Sequence, residues 1–279
     1  PGELTPVVSD MPHSSLPGLR PALCFALGAI LACALMLPAL NDVRRGIAPS
    51  AAPAVNPRQY AKNPHTAQRV AANASTYEFE YAFRDQNEAP WIWSWSYARA
   101  ATDAAIDRFG VPPFIYEPYR RTEPELERRR RVIRSGLFRQ NGDYVEPDYN
   151  AMVGHYMDFA EPLHALLEQT AGALRSEKIE TLLKFVQDIP YGIPPDRTHD
   201  RVIAGVLPPP RMLVERWGDC DSKAVLFASV LAHDPSMRLV FLLVPNHILL
   251  AVEGIPRPYQ NAVEVKGRTY ILAEPVGPG

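Results

Sequence analysis

The chain has 279 residues and carries 29 Lys and Arg against 31 Asp and Glu, so its formal net charge is −2. This balance argues against a nucleic-acid-binding protein, which would show a concentrated basic face, and the length allows one large domain or two small ones. Three cysteines argue against a disulfide scaffold and a multi-cysteine zinc site, because Cys24 and Cys33 lie in an apolar run and leave Cys220 alone in the polar part.

The first strong feature in chain order is residues 21–40, which contain no charged side chain. A helix needs about 20 apolar residues to span a bilayer. We therefore predict an uncleaved transmembrane anchor behind a tail of residues 1–20, with a cleaved signal peptide as the alternative. Because the chain begins at Pro1 and not at Met, we expect a fragment at one or both ends.

The charges that flank this anchor leave its orientation open. Arg20 precedes the anchor, whereas Arg44 and Arg45 follow it, so the positive-inside rule would place the bulk of the chain in the cytoplasm. The Ala/Pro-rich segment that follows is typical of anchored, exported enzymes. On that ground we predict a single-pass membrane protein whose main domain is periplasmic, with the cytoplasmic side as the alternative.

Residues 41–73 are rich in Pro, Ala and Asn and lack apolar periodicity, so they are predicted to be a linker. In the next segment, residues 74–175, aromatic residues first alternate with mostly polar ones over 77–83 and again over 91–96, with a turn at 85–88. This pattern predicts a β-hairpin with one aromatic face. Core packing is the favoured interpretation of that face, and a sugar- or peptide-binding strip is the alternative.

Helices are predicted at 98–109, 122–134, 148–170 and 176–189. In the second of these, Thr122 is a candidate N-cap and acidic residues occupy the first turn, which suits the positive end of a helix. Its arginine cluster is interpreted as a solvated face, with a role at anionic lipid headgroups as the minor alternative. The fourth helix has apolar residues at spacings of three and four, which predicts one buried stripe.

The last part of the chain changes to strand patterns. Residues 239–244 form a continuous apolar run, typical of a central strand that is covered on both faces. A second strand is predicted at 248–253, and residues 261–266 and 269–273 are predicted to form a hairpin with Gly267-Arg268 as its turn. Helices followed by antiparallel strands predict an α+β fold.

The segment around Cys220 is the most informative about function. Gly218 permits a tight turn, Asp219 or its neighbours can cap a helix, and residues 224–232 are almost all apolar, so Cys220 falls in the first turn of a buried helix. The N-terminus of a helix favours a thiolate. Asp219 and Asp221 oppose this effect, because nearby negative charge raises the pKa of a thiol.

A base and an orienting acid follow at suitable places. His247 stands at the start of a predicted strand, and Glu274 stands at the end of the last strand. Adjacent antiparallel strands would bring the two together, and a carboxylate there would hold the imidazole tautomer and stabilise its charged form. Singly, a turn histidine and a surface acid are the commoner interpretations, but the ordered set of Cys, His and acid is more specific.

Several of these segments resemble the transglutaminase-like superfamily. They are WGDCDSK at 217–223, Asn246-His247 and YILAEP at 270–275, and FVQDIPY at 185–191 looks like the helix end that precedes the nucleophile in bacterial members. The resemblance covers residues 176–279, which we take as the predicted catalytic domain. It implies a papain-like core of helices and antiparallel sheet.

The resemblance also implies a catalytic triad that acts through a thioester. Cys220 would be the nucleophile, His247 the base and Glu274 the orienting acid, although the family's usual third member is Asp. Gln187 could help to bind the oxyanion, although a plain helix-end Gln is the commoner interpretation, and Trp217 and Asp221 would support the site. No cofactor and no metal is expected, and the acidic loop that calcium binding would need is not visible in the sequence.

The favoured function is a thiol enzyme, a cysteine peptidase, amidase or acyltransferase, with a protein or peptide substrate. The alternative is a catalytically silent binding or assembly module of the same fold at the cell envelope. A metalloenzyme is disfavoured, because His155 and His164 are nine residues apart and do not share a helix face as an i, i+4 pair would. The sequence does not predict the oligomeric state.

Overall fold

The protein has an α+β fold, as the sequence predicts. A computed structural model describes residues 7–10, 65–198, 200–245 and 247–277. The helices are α1 (Arg99–Arg108), α2 (Glu123–Ser135), α3 (Tyr149–Thr170), α4 (Arg175–Asp188), α5 (Pro209–Glu215) and α6 (Cys220–Leu231). The strands are β1 (Val7–Asp10), β2 (Ala67–Ala72), β3 (Thr76–Arg84), β4 (Pro90–Ala98), β5 (Phe138–Asn141), β6 (Tyr144–Pro147), β7 (Arg197–Thr198), β8 (Arg201–Val202), β9 (Leu239–Val244), β10 (His247–Glu253), β11 (Ala262–Val265) and β12 (Arg268–Ala273).

The main sheet is antiparallel, with the strand order β1-β9-β10-β12-β11. The prediction that β9 is a central strand is confirmed. Leu239 and Phe241 join the main hydrophobic core, whereas Val240 and Leu242 belong to a second buried cluster. Helix α6 packs against β10, so the start of this helix and the start of β10 can meet.

The aromatic hairpin β3–β4 packs into the core, with β2 added at its edge. Phe185 of α4 lies against this face, and its ring centroid is 4.6 Å from that of Trp93, which is fully buried. The core-packing interpretation is therefore confirmed. Strand β2 lies inside the predicted linker, so the prediction of a linker is wrong for Ala67–Ala72. An edge strand is held by backbone pairing and needs no aromatic alternation, so the sequence pattern does not indicate it.

The interpretation of the α2 arginine cluster as a solvated face is wrong for Arg129. Its guanidinium is buried, donates to the carbonyl oxygens of Phe114 (2.9 Å) and Ile115, and lies 3.8 Å from the centroid of the Tyr119 ring. The other arginines of the cluster are exposed. Thr122 is the N-cap residue, as predicted, but its side chain makes no capping hydrogen bond.

The C-terminal hairpin turns one residue earlier than predicted. Val265 pairs with Arg268, so the two turn residues are Lys266 and Gly267, with φ of 50° and 74°. Positive φ at both positions is the geometry of a type I′ turn, which matches the twist of the flanking strands. The prediction placed Gly first because it assumed the other two-residue turn type.

Among the described residues, no helix has both the length and the apolar character that crossing a bilayer requires. The predicted anchor at 21–40 lies outside the described residues, together with Cys24 and Cys33. Asn246, which contributes to the family resemblance, also lies outside them. Of the predicted tail at 1–20, the structure describes β1, which pairs with β9.

Candidate active site

The start of helix α6 is held by a cap built from its own sequence. Asp219 Oδ1 accepts hydrogen bonds from the backbone N of Ser222 (3.1 Å) and from its hydroxyl (2.5 Å). The Ser222 hydroxyl oxygen in turn accepts from the backbone N of Leu207 (2.8 Å). The helix begins at Cys220, so the prediction that this cysteine lies in the first turn of a buried helix is confirmed.

Gly218 is required for close packing and not for a left-handed turn. The residue with positive φ is Arg216 (φ 64°), which ends α5. A Cβ on Gly218 would lie 2.5 Å from the sulfur of Met212, inside any normal contact. The backbone N–H of Gly218 donates to the carbonyl of Pro190 (3.1 Å), which ties this turn to the end of α4. Trp217 is half-buried against the core beside the turn, which gives it a packing role.

Cys220 is 7% exposed, and its thiol donates to Asp221 Oδ1 at 3.2 Å. Asp221 Oδ2 accepts from the hydroxyl of Tyr149 at 2.5 Å. Burial, and after it the carboxylates of Asp221 and Asp219, raise the pKa of the Cys220 thiol to about 12, although a hydrogen bond from the backbone of Ile248 acts in the opposite direction. The thiol is therefore neutral in this resting geometry, and the two acids oppose ionisation as predicted.

His247 and Glu274 are brought together as the strand order predicts. Leu250 pairs with Ala273 across β10 and β12, and Glu274 follows directly, so its Oε2 lies 2.6 Å from His247 Nε2. The side chains are 30% and 44% exposed, respectively. The second carboxylate oxygen accepts from the backbone N of Val276 (3.0 Å), which fixes the orientation of the carboxylate.

The contact between the sheet and the nucleophile runs through Ile248. This residue follows His247 in β10, and its backbone N–H donates to the sulfur of Cys220. Because His247 uses Nε2 toward Glu274, Nδ1 is the ring nitrogen left to face a thiol. The structure thus joins His247 to Glu274 by a hydrogen bond and joins Cys220 to the same strand one residue further on, while the thiol proton points to Asp221.

The side-chain amide and the backbone carbonyl of Gln187 both make hydrogen bonds to other residues of the candidate site. Its Nε2 donates to the backbone carbonyl of Glu274 (2.8 Å), and its own backbone carbonyl accepts from Lys223 Nζ (3.2 Å). Lys223 is fully buried. Burial lowers the pKa of Lys223 to about 7, against the opposing effect of Asp188, Asp219 and Glu274. Lys223 is a site residue that the sequence does not predict, because a lysine in an apolar helix gives no sign of its partner.

Ligand atoms of the kind that bind metals occur at the cap and in the first turn of α6. Asp219, Cys220 and Asp221 each offer one such atom, and these atoms lie within 4.8 Å of one another. Asp219 already accepts from Ser222, and Asp221 already accepts from the Cys220 thiol and from Tyr149. The group therefore serves the helix cap and the thiol, and we assign no metal to it.

Neither models of protein families, nor curated proteins, nor solved structures give a match to this chain. The family resemblance of the Cys220 segment keeps the status of a prediction.

The charge of Asp221 provides a first test of this site. We expect Asp221→Asn to lower the pKa of the Cys220 thiol, because it removes a negative charge beside the sulfur, and to raise the alkylation rate of Cys220 at mildly alkaline pH about three- to ten-fold. The measurement is the pH dependence of iodoacetamide labelling, read by mass spectrometry of the Cys220 peptide. Asp234→Asn is a matched control, and an unchanged pH profile in Asp221→Asn would contradict the electrostatic account.

Proposed function

We propose that this chain is a thiol enzyme of the transglutaminase-like type, with a papain-like core, that cleaves or transfers an amide acyl group. The observation that supports this most is the 2.6 Å contact of His247 Nε2 with Glu274 Oε2, one residue from the strand amide that reaches the Cys220 sulfur. An imidazole oriented by a carboxylate beside a thiol is the arrangement that activates a cysteine nucleophile.

The proposed reaction begins with a change at the thiol. Rotation of the Cys220 side chain from Asp221 toward His247 Nδ1 moves the proton from sulfur to the imidazole. The sulfur then bonds the carbonyl carbon of the substrate, and the negative charge on the oxygen is stabilised by the N-terminus of α6. His247 gives its proton to the leaving amine as the carbon–nitrogen bond breaks, which leaves a thioester on Cys220.

A second nucleophile resolves the thioester. Water loses a proton to His247 and bonds the acyl carbon, and the carbon–sulfur bond breaks as the proton returns to sulfur. This route gives a peptidase or amidase, and an amine in place of water gives an acyltransferase. We propose a protein or peptide substrate, and we propose that the apolar segment 21–40 anchors the chain with its catalytic part in the periplasm.

A specific observation favours a second candidate, the catalytically silent binding or assembly module of the same fold. The Cys220 thiol is buried, its proton is held by Asp221, and its pKa is raised to about 12. A protein that used this fold only for binding could keep such an inert thiol.

Labelling of the full chain with iodoacetamide separates the two candidates. If the chain is an enzyme, Cys220 reacts at neutral pH at least about ten-fold faster in the wild-type chain than in His247→Ala, since the base supplies the thiolate. Peptide mass spectrometry assigns the label to Cys220. Equal, slow labelling of Cys220 in both proteins would reject the enzyme and support the silent module.

A further inference from the structure

We infer that Lys223 and Gln187 are positioning residues for the proposed reaction, because together they tie the helix that carries the nucleophile to the Glu274–His247 pair. The inference rests on the proposed function and deepens it. It also gives Gln187 a role different from the oxyanion donor that the family resemblance suggests.

A continuous line of hydrogen bonds supports this inference. Lys223 Nζ donates to the Gln187 carbonyl (3.2 Å), and the Gln187 side-chain nitrogen donates to the Glu274 carbonyl (2.8 Å). Glu274 Oε2 lies 2.6 Å from His247 Nε2. Lys223 is three residues after Cys220 in α6. These contacts therefore connect the helix that carries Cys220 to His247.

Burial of the Lys223 amino group costs free energy unless hydrogen bonds such as these compensate for it. Lysine is almost never fully buried without a partner, and Lys223 has no exposed surface. Helix α4 ends at Asp188, so the carbonyl of Gln187 has no partner within the helix, and an amino group there satisfies it. The charged groups that face Lys223 are Asp188 of α4, Asp219 at the cap of α6, and Glu274 after β12. The hydrogen bond forms whether the lysine is charged or neutral, because both forms donate.

Gln187 positions Glu274, which lies just beyond the last strand of the sheet. Glu274 follows β12, whose last residue is Ala273, and its backbone carbonyl is held by Gln187. Since Glu274 Oε2 contacts Nε2 of His247, we expect a shift of Glu274 to rotate the imidazole and to change the direction in which Nδ1 points. Misplacement of a reacting group by about 1 Å can cost about 100-fold in rate.

Two isosteric variants of the full chain test the inference, Gln187→Met and Lys223→Met. Matched controls are Gln140→Met on β5 and Lys184→Met on α4. The first measurement is the pH dependence of iodoacetamide alkylation at Cys220, and the second is the acylation rate with p-nitrophenyl acetate. The third is the downfield NMR resonance of the His247 imidazole proton, assigned by its loss in His247→Gln. Circular dichroism reports folding, and Gln187→Met, at a half-buried position, is the variant to use if Lys223→Met does not fold.

In both variants we expect the rate of Cys220 alkylation at neutral pH to fall by about 10- to 100-fold and the His247 resonance to shift. The controls should behave as the wild type. Alkylation and resonance that match the wild type in both variants would overturn the inference and leave the proposed function intact. Slower acylation by p-nitrophenyl acetate with unchanged alkylation in Gln187→Met would also overturn it, because only carbonyl attack builds an oxyanion. A wild-type chain without neutral-pH alkylation would reject the proposed function, and this inference with it.

Discussion

Cys220→Ala is expected to abolish acyl transfer, because no other side chain of the site can form the thioester. With p-nitrophenyl acetate, the wild-type chain should release about one equivalent of p-nitrophenol in a rapid burst, the sign of an acyl-enzyme. The variant should show no burst, and its kcat/KM should fall by at least about 10³-fold, which corresponds to about 4 kcal/mol of transition-state stabilisation. Stopped-flow absorbance measures both quantities.

The matched control for this variant is the double substitution Cys24→Ser and Cys33→Ser, which removes the chain's other thiols and leaves Cys220. It should keep the full burst. A burst that survives in Cys220→Ala and disappears in the control would place the nucleophile in the N-terminal segment. A burst that survives in both would show that p-nitrophenyl acetate is attacked elsewhere, and either result would contradict the assignment of Cys220.

The segments that could be predicted from the sequence are those whose pattern of apolar side chains indicates which face is buried. The alternating aromatics of β3 and β4 indicate one buried face, the spacing in α4 indicates one apolar stripe, and the unbroken apolar run of β9 indicates burial on both sides. Strand β2 and helix α5 carry no such pattern. Strand β2 is held by backbone hydrogen bonds to β3, and α5 is short and begins at two prolines, so neither has the periodicity on which a prediction depends.

The same division applies to the candidate site. Cys220 could be placed because a local signal, a cap followed by an apolar run, defines the start of its helix, and the partnership of His247 with Glu274 follows from neighbouring strands. The contacts of Lys223 with Gln187 and of Tyr149 with Asp221 join residues 36 and 72 positions apart. Such contacts depend on how α3, α4 and α6 pack, and no spacing within any one segment reports that packing.

Glu274 provides the sharpest test of the triad, because its carboxylate can be altered without changing the thiol or the imidazole. Glu274→Gln removes the negative charge that would stabilise the imidazolium, and Gln can present an amide N–H where His247 Nε2 needs an acceptor. We expect kcat for p-nitrophenyl acetate to fall by about 10²- to 10⁴-fold with little change in KM, because the interaction is made in the transition state. Steady-state kinetics of the full chain measures this split.

Glu253→Gln is the matched control, because Glu253 lies in the same sheet and its carboxylate pairs with Arg238 and Arg268 at the surface. A further variant, Glu274→Asp, tests the position of the carboxylate and leaves its charge unchanged. An aspartate is one methylene shorter, so it cannot reach both His247 Nε2 and the Val276 amide from an unchanged backbone, and we expect an intermediate loss of about ten-fold. If Glu274→Gln kept the wild-type kcat, the carboxylate would serve only to hold the chain after β12. His247 would then have to act as a base without an orienting partner.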